Sequence, residues 1–407
     1  MKKLLLILLC LPFIGFGQGW IKGYTDVVTY SVDQTNDGGY IAGGAIATIN
    51  NKSDFWLLKT DGLGNQQWVN TFGTVEKDVC YAVQQTTDGG YILTGYIGET
   101  DTSEGEIWIS KTDISGTQIW SNTYGSGRAE YSVQQTTDGG YIIPTGDMDI
   151  LKIDVNGNTE WSCNYYPDMN AIFSVKQTID GGYVMTGLVI NNGADIRIIK
   201  VNSIGGVEWI KTYGNNTFFN ESRDIEQTTD GGYIIAGTKG LSDTSGVAWL
   251  LKTDNQGDTI WTNTIPDIHS TTAFSVAQTT DGGYIFSGGT GINENYFDIF
   301  LVKTDVNGDK QWSKIFGDIG TDISFSVEQT IDGGYIVAGY SSSHIYNLIK
   351  TDGNGNITST FNIPTPNYSK KLEKVTDLLG RETKGTKNEV LFYIYDDGTV
   401  EKRIVIE

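Results

Sequence analysis

Apolar positions in this chain come in short runs broken by Gly, Asn and Asp, and the runs recur in a fixed order. The first run, S-V-x-Q-T (residues 132–136, for example), leads into Asp-Gly-Gly, whose glycines supply the positive φ angles of a tight hairpin. A second run, Y-I-x-x-G, follows at once, as in residues 233–237. After a loop of variable length comes a nearly unbroken apolar run such as FWLLKT (55–60) or IFLVKT (299–304), the pattern of a strand buried on both faces. A turn of the form D-V-N-G-D (305–309) or D-V-N-G-N (154–158) then opens a fourth run, marked by Trp68, Trp120, Trp161, Trp209, Trp261 and Trp312. Each unit therefore predicts four short antiparallel strands.

The unit occurs seven times. Its Gln-Thr glutamines fall at 34, 85, 135, 177, 227, 278 and 329, spaced by 51, 50, 42, 50, 51 and 51 residues. A period near 50 with four strands per unit is that of a β-propeller blade. The fold class expected is all-β: a seven-bladed propeller over 18–362, followed by a linker (363–371) and a small β module (372–407). In six units Trp lies nine residues after the Lys of the third strand, but nine residues after Lys350 stands Ser359. The missing tryptophan is Trp20, in GWIKGY, which matches WIKTYG at 209–214. The N-terminal strand is expected to complete the last blade and leave no open sheet edge. The alternative keeps an irregular strand at 358–363 in that blade and makes Trp20 an extra edge.

The repeated residues have structural roles: Gly and Asp make turns, Trp fills the wedges between blades, and Gln is expected to bond buried backbone near the axis. The turn D-x-N-G-D places its Gly one or two positions early for an EF-hand loop, so no cofactor is assigned and Ca²⁺ is kept as an alternative. The A–B and C–D turns share one face and are nearly constant; the B–C and D–A loops share the other and vary freely. Function is assigned to the variable face, where Phe218, Phe219, Tyr296, Phe297, His344 and Tyr346 are the candidate ligand-binding residues, with Tyr165 and Tyr166 nearby. Blade three has almost no B–C loop, which accounts for the 42-residue spacing. No HExxH, GxSxG or zinc-spaced cysteine set occurs, and the only histidines are His269 and His344, so no catalytic residue is assigned. Arg128, Arg197 and Arg223 are the propeller's arginines, and a trio gripping a carboxylate is the enzyme variant of this reading.

Composition changes the picture in two ways. The first 17 residues pair Lys2 and Lys3 with an apolar run and a small residue at Gly17, the pattern of a secretory signal peptide. No later segment approaches the roughly 20 apolar residues of a membrane span, so the mature chain is expected to be free of the membrane and monomeric. Cys80 and Cys163 then remain, at non-equivalent positions of different repeats, and are expected as two buried thiols. The net charge of −21 resides entirely before residue 363, and such a surface repels nucleic acid.

The tail carries DLLGR (Asp377, Leu378, Leu379, Gly380, Arg381), two apolar runs flanking Asp396, Asp397 and Gly398, and a closing basic-apolar strand through Ile406. These features resemble the C-terminal sorting domain of type IX secretion cargo. The resemblance implies that the tail engages secretion machinery and that the protein is secreted or held on the outer surface of a Gram-negative bacterium. The repeat also looks like those of secreted propeller cargo. The function expected is a recognition scaffold for an extracellular glycan or protein. A polysaccharide-acting hydrolase or lyase and a structural surface-layer component are the alternatives.

Overall fold

A computed structural model describes residues 19–48, 52–100, 105–126, 132–145, 148–190, 193–214, 218–242, 245–265, 271–293, 296–357, 372–376, 381, 383, 390–395 and 400–404. The signal segment 1–17 and the linker 363–371 lie outside these residues. So do Arg128, His269, and Asp377, Leu378, Leu379, Gly380, Asp396, Asp397 and Gly398 of the sorting motif. The chain divides into two compact units, Met1–Thr358 and Ser359–Glu407.

The first unit contains seven four-stranded antiparallel sheets, and in six of them each strand pairs with the next in sequence. Blade one, for example, is Val27–Gln34 (A), Tyr40–Ala47 (B), Ser53–Thr60 (C) and Gln66–Phe72 (D). The last blade takes its outer strand from the N-terminus: Trp20–Lys22 pairs with Leu348–Thr351, setting Trp20 opposite Lys350. Trp68 faces Lys59 and Trp261 faces Lys252 in the same way. The closure predicted from the tryptophan count is therefore present.

Each tryptophan is seated on the next blade around the ring. Trp20 packs edge-on to Tyr40, with ring centroids 5.6 Å apart. A Cβ placed on Gly64 in the C–D turn would meet the Trp20 ring at 2.9 Å. Gly355 stands in the same relation to Trp312, and Gly116 to Trp68. The glycine of the D-x-N-G turn is thus required twice, by its positive φ and by the indole above it. The resulting wedge cores span neighbouring blades: Trp20, Ile336, Ala338 and Leu348 of blade seven pack with Val27, Tyr40, Ala42, Trp56 and Leu58 of blade one.

The Asp-Gly-Gly turn also does more than reverse the chain. In every blade its Asp receives the ammonium of the strand-C lysine, as Asp37 does from Lys59 at 2.9 Å. The lysine side chain is buried and also donates to the carbonyl of Thr60, 2.8 Å away. A Cβ on the second glycine, Gly39, would stand 2.6 Å from that ammonium and 2.1 Å from the Thr60 oxygen. That position has room only for glycine.

The Gln of Gln-Thr ties blades together. Gln85 Oε1 accepts from Asn36 N at 2.8 Å, and the same bond recurs at all seven interfaces, ending with Ile331 N donating to Gln34 Oε1. This bond lies at exposed turn backbone of the neighbouring blade, although a buried partner was expected. Cys80 is buried, Cys163 is half-buried, and the two are not joined. The second unit holds a three-stranded antiparallel meander, Leu372–Thr376, Val390–Tyr395 and Val400–Ile404. Arg381 is exposed.

Candidate functional site

The innermost strands surround an axial channel of about 610 Å³. Its wall is built by a departure from regular pairing. In six blades strand A carries a β-bulge, and the extra residue is Tyr30, Tyr81, Phe173, Arg223, Phe274 or Phe325. A bulge turns a side chain out of the alternation of its strand. Here the six residues meet around the axis. Tyr81 contacts Tyr30 and Tyr30 contacts Phe325, each pair with centroids 5.0 Å apart. Phe325 lies 5.4 Å from Phe274. Arg223 closes the arc, its guanidinium 5.5 Å from the Phe274 centroid and 4.5 Å from that of Phe173. Glu221 holds that guanidinium from the other side at 2.8 Å.

Three residues further along each strand A comes the x of S-V-x-Q-T: Asp33, Gln84, Gln134, Lys176, Glu226, Ala277 and Glu328. All seven line the channel. Five of them cap the next blade: Asp33 accepts from Gln85 N (2.7 Å), Gln84 from Gln135 N (2.7 Å), Gln134 from Gln177 N (2.6 Å), Glu226 from Gln278 N (2.7 Å) and Glu328 from Gln34 N (3.3 Å). Lys176 has no acceptor to offer and Ala277 no polar group. One layer nearer the collar, Ser31, Ser132, Asp224 and Ser275 accept from Val83, Val175, Val276 and Val327 in the same manner. The inner sheet edges, which would otherwise display free amides, are closed by side chains of the preceding blade.

The channel carboxyls are half-buried in the wall of the bore, away from bulk solvent. That desolvation raises Glu226 to about 7 and Asp33 to about 6, and it raises Glu328 well above the usual carboxylate range with the neighbouring Asp33 charge adding to it. The Lys176 charge offsets part of each shift. Its ammonium forms no hydrogen bond or ion pair with another described residue. Among the described residues no three His, Cys, Asp or Glu side chains form a group able to hold a metal. In the C–D turns, Asp61 Oδ1 accepts from Leu63 N and Asn65 N, and Asp305 Oδ1 from Asn307 N and Asp309 N.

The residues singled out from the loops lie elsewhere and apart. Phe218 and Phe219 precede strand A of blade five, Phe218 half-buried and Phe219 exposed. Tyr296 is exposed and Phe297 half-buried at the start of strand C of blade six. His344 is exposed in the last B–C loop, and Tyr346 is half-buried with its hydroxyl on the Gly317 carbonyl. No ring contact joins these residues to each other, and none lines the channel. Tyr165 is buried and bonded to the Gly205 carbonyl, whereas Tyr166 is exposed. Of the arginines, Arg223 belongs to the collar and Arg197 to strand C of blade four. The channel residues other than Arg223 were missed in the sequence; the signal that could have found them is the x of S-V-x-Q-T, which changes from blade to blade while the Gln-Thr after it does not.

Among the described residues no helix is long and apolar enough to cross a membrane. No family model matches the chain, and no curated protein matches it in sequence. Solved structures do match in shape. The WD40 β-propeller domain of Doa1 superposes with a TM-score of 0.56 at 14% identity, over 83% of this chain and 97% of that one. The WD40 repeats of RRP9 give a TM-score of 0.58 at 8% identity, over 82% and 96%. At such identities the likeness concerns the fold alone: the first unit of the chain folds as a seven-bladed β-propeller with four-stranded blades.

Proposed function

We propose that this propeller is a secreted or cell-surface recognition scaffold of a Gram-negative bacterium, binding glycan or protein through its variable-loop face. The observation that carries this reading is a division between the two faces. On the constant face, turn carboxylates and the Gln side chains are engaged within and between blades. The variable face opens on an aromatic collar with an arginine set into it. Export through a type IX-like route is supported by the signal-like start, the DLLGR motif and the basic-apolar end of the chain.

Two assays test the proposal. The full chain is passed over immobilised oligosaccharides and over surface proteins of a host bacterium; retention by one class is expected, and retention by neither contradicts the reading and favours a structural surface-layer role. Separately, deleting residues 372–407 is expected to trap the protein in the periplasm, and unchanged delivery to the surface or medium contradicts the proposed route. A hydrolase or lyase is the second reading, favoured by the raised Glu226 carboxyl in the bore. Release of reducing ends from a polysaccharide, abolished by Glu226→Gln, would select it.

A further inference from the structure

We infer that the axial channel, and not the loop tips, is the binding site, and that its ligand is the end of an uncharged or amine-bearing oligosaccharide. The inference rests on the recognition reading above and names its site and ligand class. Strand A enters from the variable face, so the collar lies nearest that face and the polar ring about 10 Å deeper, three residues at ~3.3 Å each. A ligand entering there meets aromatic rings first and hydrogen-bonding groups next. That sequence suits a sugar, whose C–H faces pack on aromatic rings and whose hydroxyls both donate and accept.

The polar ring is prepared for such a ligand. Gln84, Gln134 and Glu226 each commit one oxygen to the amide of the next blade, which fixes the side chain. Gln84 Nε2, Gln134 Nε2, Lys176 Nζ and the second oxygen of Glu226 have no hydrogen-bond partner among the described residues, and all four residues line the bore. The Gln84 and Gln134 amides and the Glu226 carboxyl are thus held around one axis, with little side-chain freedom left to lose on binding. The volume lies within the range of small-molecule sites.

The same caps weigh against a peptide strand. Addition of an extended peptide needs free edge amides, and at Val83, Gln85, Val175, Gln177, Val276, Gln278 and Val327 those amides are already bonded to side chains. Glu221 neutralises Arg223, and Asp33 and Asp224 stand with Lys176, so the bore has no surplus positive charge for an acidic glycan.

The test is a titration of the full chain with a series of tetrasaccharides: neutral glucans, a glucosamine oligomer and a uronic-acid oligomer. Binding of the neutral or amine-bearing members is expected, with the uronic-acid oligomer excluded. Phe325→Ala should weaken binding about tenfold through loss of one stacking face. Ala277→Trp plugs the bore at a position with no capping role, and should abolish binding while leaving the thermal transition in place. Phe219→Ala and Tyr296→Ala should leave affinity unchanged. Binding that survives Ala277→Trp but falls in the loop variants overturns the channel site and leaves the recognition scaffold standing. Preference for the uronic-acid oligomer, or no binding by any tetrasaccharide, overturns the ligand class, and protein capture then decides the broader reading.

Discussion

The Asp-Gly-Gly lysine pair is lopsided: the Lys252 side chain is buried and the Asp230 carboxylate is more than half exposed. Removing the exposed partner leaves a buried ammonium short of an acceptor, whereas removing the lysine leaves a carboxylate that water can solvate. Asp230→Asn is therefore predicted to cost about 1–3 kcal/mol and more than Lys252→Met, measured by urea unfolding. Titration follows from the same residues. Partial burial pushes Asp37, Asp180 and Asp281 up, but hydrogen bonds from the preceding Thr and from the buried Lys outweigh it and hold them at about 2. Their contribution is present above the ordinary carboxylate value near 4 and is lost as pH falls toward 2. Asp33, Glu226 and Glu328 act in the opposite sense. The folded state binds more protons there, so stability falls as pH rises from about 4 through 6–7. Buried Asp78, Asp298 and Asp322 are also raised and pull the same way. The melting temperature should thus be higher at pH 5 than at pH 8, and Glu328→Gln should flatten that slope. A melting temperature that climbs steadily to pH 8 would show that the channel carboxyls are not raised.

Strand boundaries and blade count were legible because turn chemistry and the apolar strand C repeat with little variation. Closure was legible from one misplaced tryptophan. What stayed hidden was the bulge within strand A. Strict alternation puts Tyr30 and Val32 on one face, but the bulge between Thr29 and Ser31 sets Tyr30 apart from the buried Val32, and six blades share the offset. Nothing in the local sequence announces an extra residue in a ladder. The loop aromatics looked functional because they lie in variable segments, yet Tyr165 shows that such a residue can be core. At this scale the decisive element is the N-terminal strand. Trp20 is buried between blades seven and one, so Trp20→Ala should cost about 3–5 kcal/mol. Differential scanning calorimetry checks this; an unchanged transition would mean the ring does not depend on that strand.

Seen across the whole molecule, one face and the inner edges are occupied by the bonds that hold the ring. Seven Gln latches, seven Lys–Asp pairs and the side-chain caps in the bore each join a blade to itself or to its neighbour. Those caps have a second consequence, since a residue that reaches from one blade to the next also leaves its free atom at the axis. A site assembled from seven separate repeats cannot be read as a motif, because each strand A contributes only a few of its residues and successive strands A lie about 50 residues apart. The most direct measurement is hydrogen–deuterium exchange of the full chain with and without a captured tetrasaccharide. The account predicts slowed exchange in the strand-A segments at 27–34, 77–85, 134–135, 171–177, 221–227, 271–278 and 322–329. Protection confined to the B–C loops, or to the constant-face turns, would contradict it.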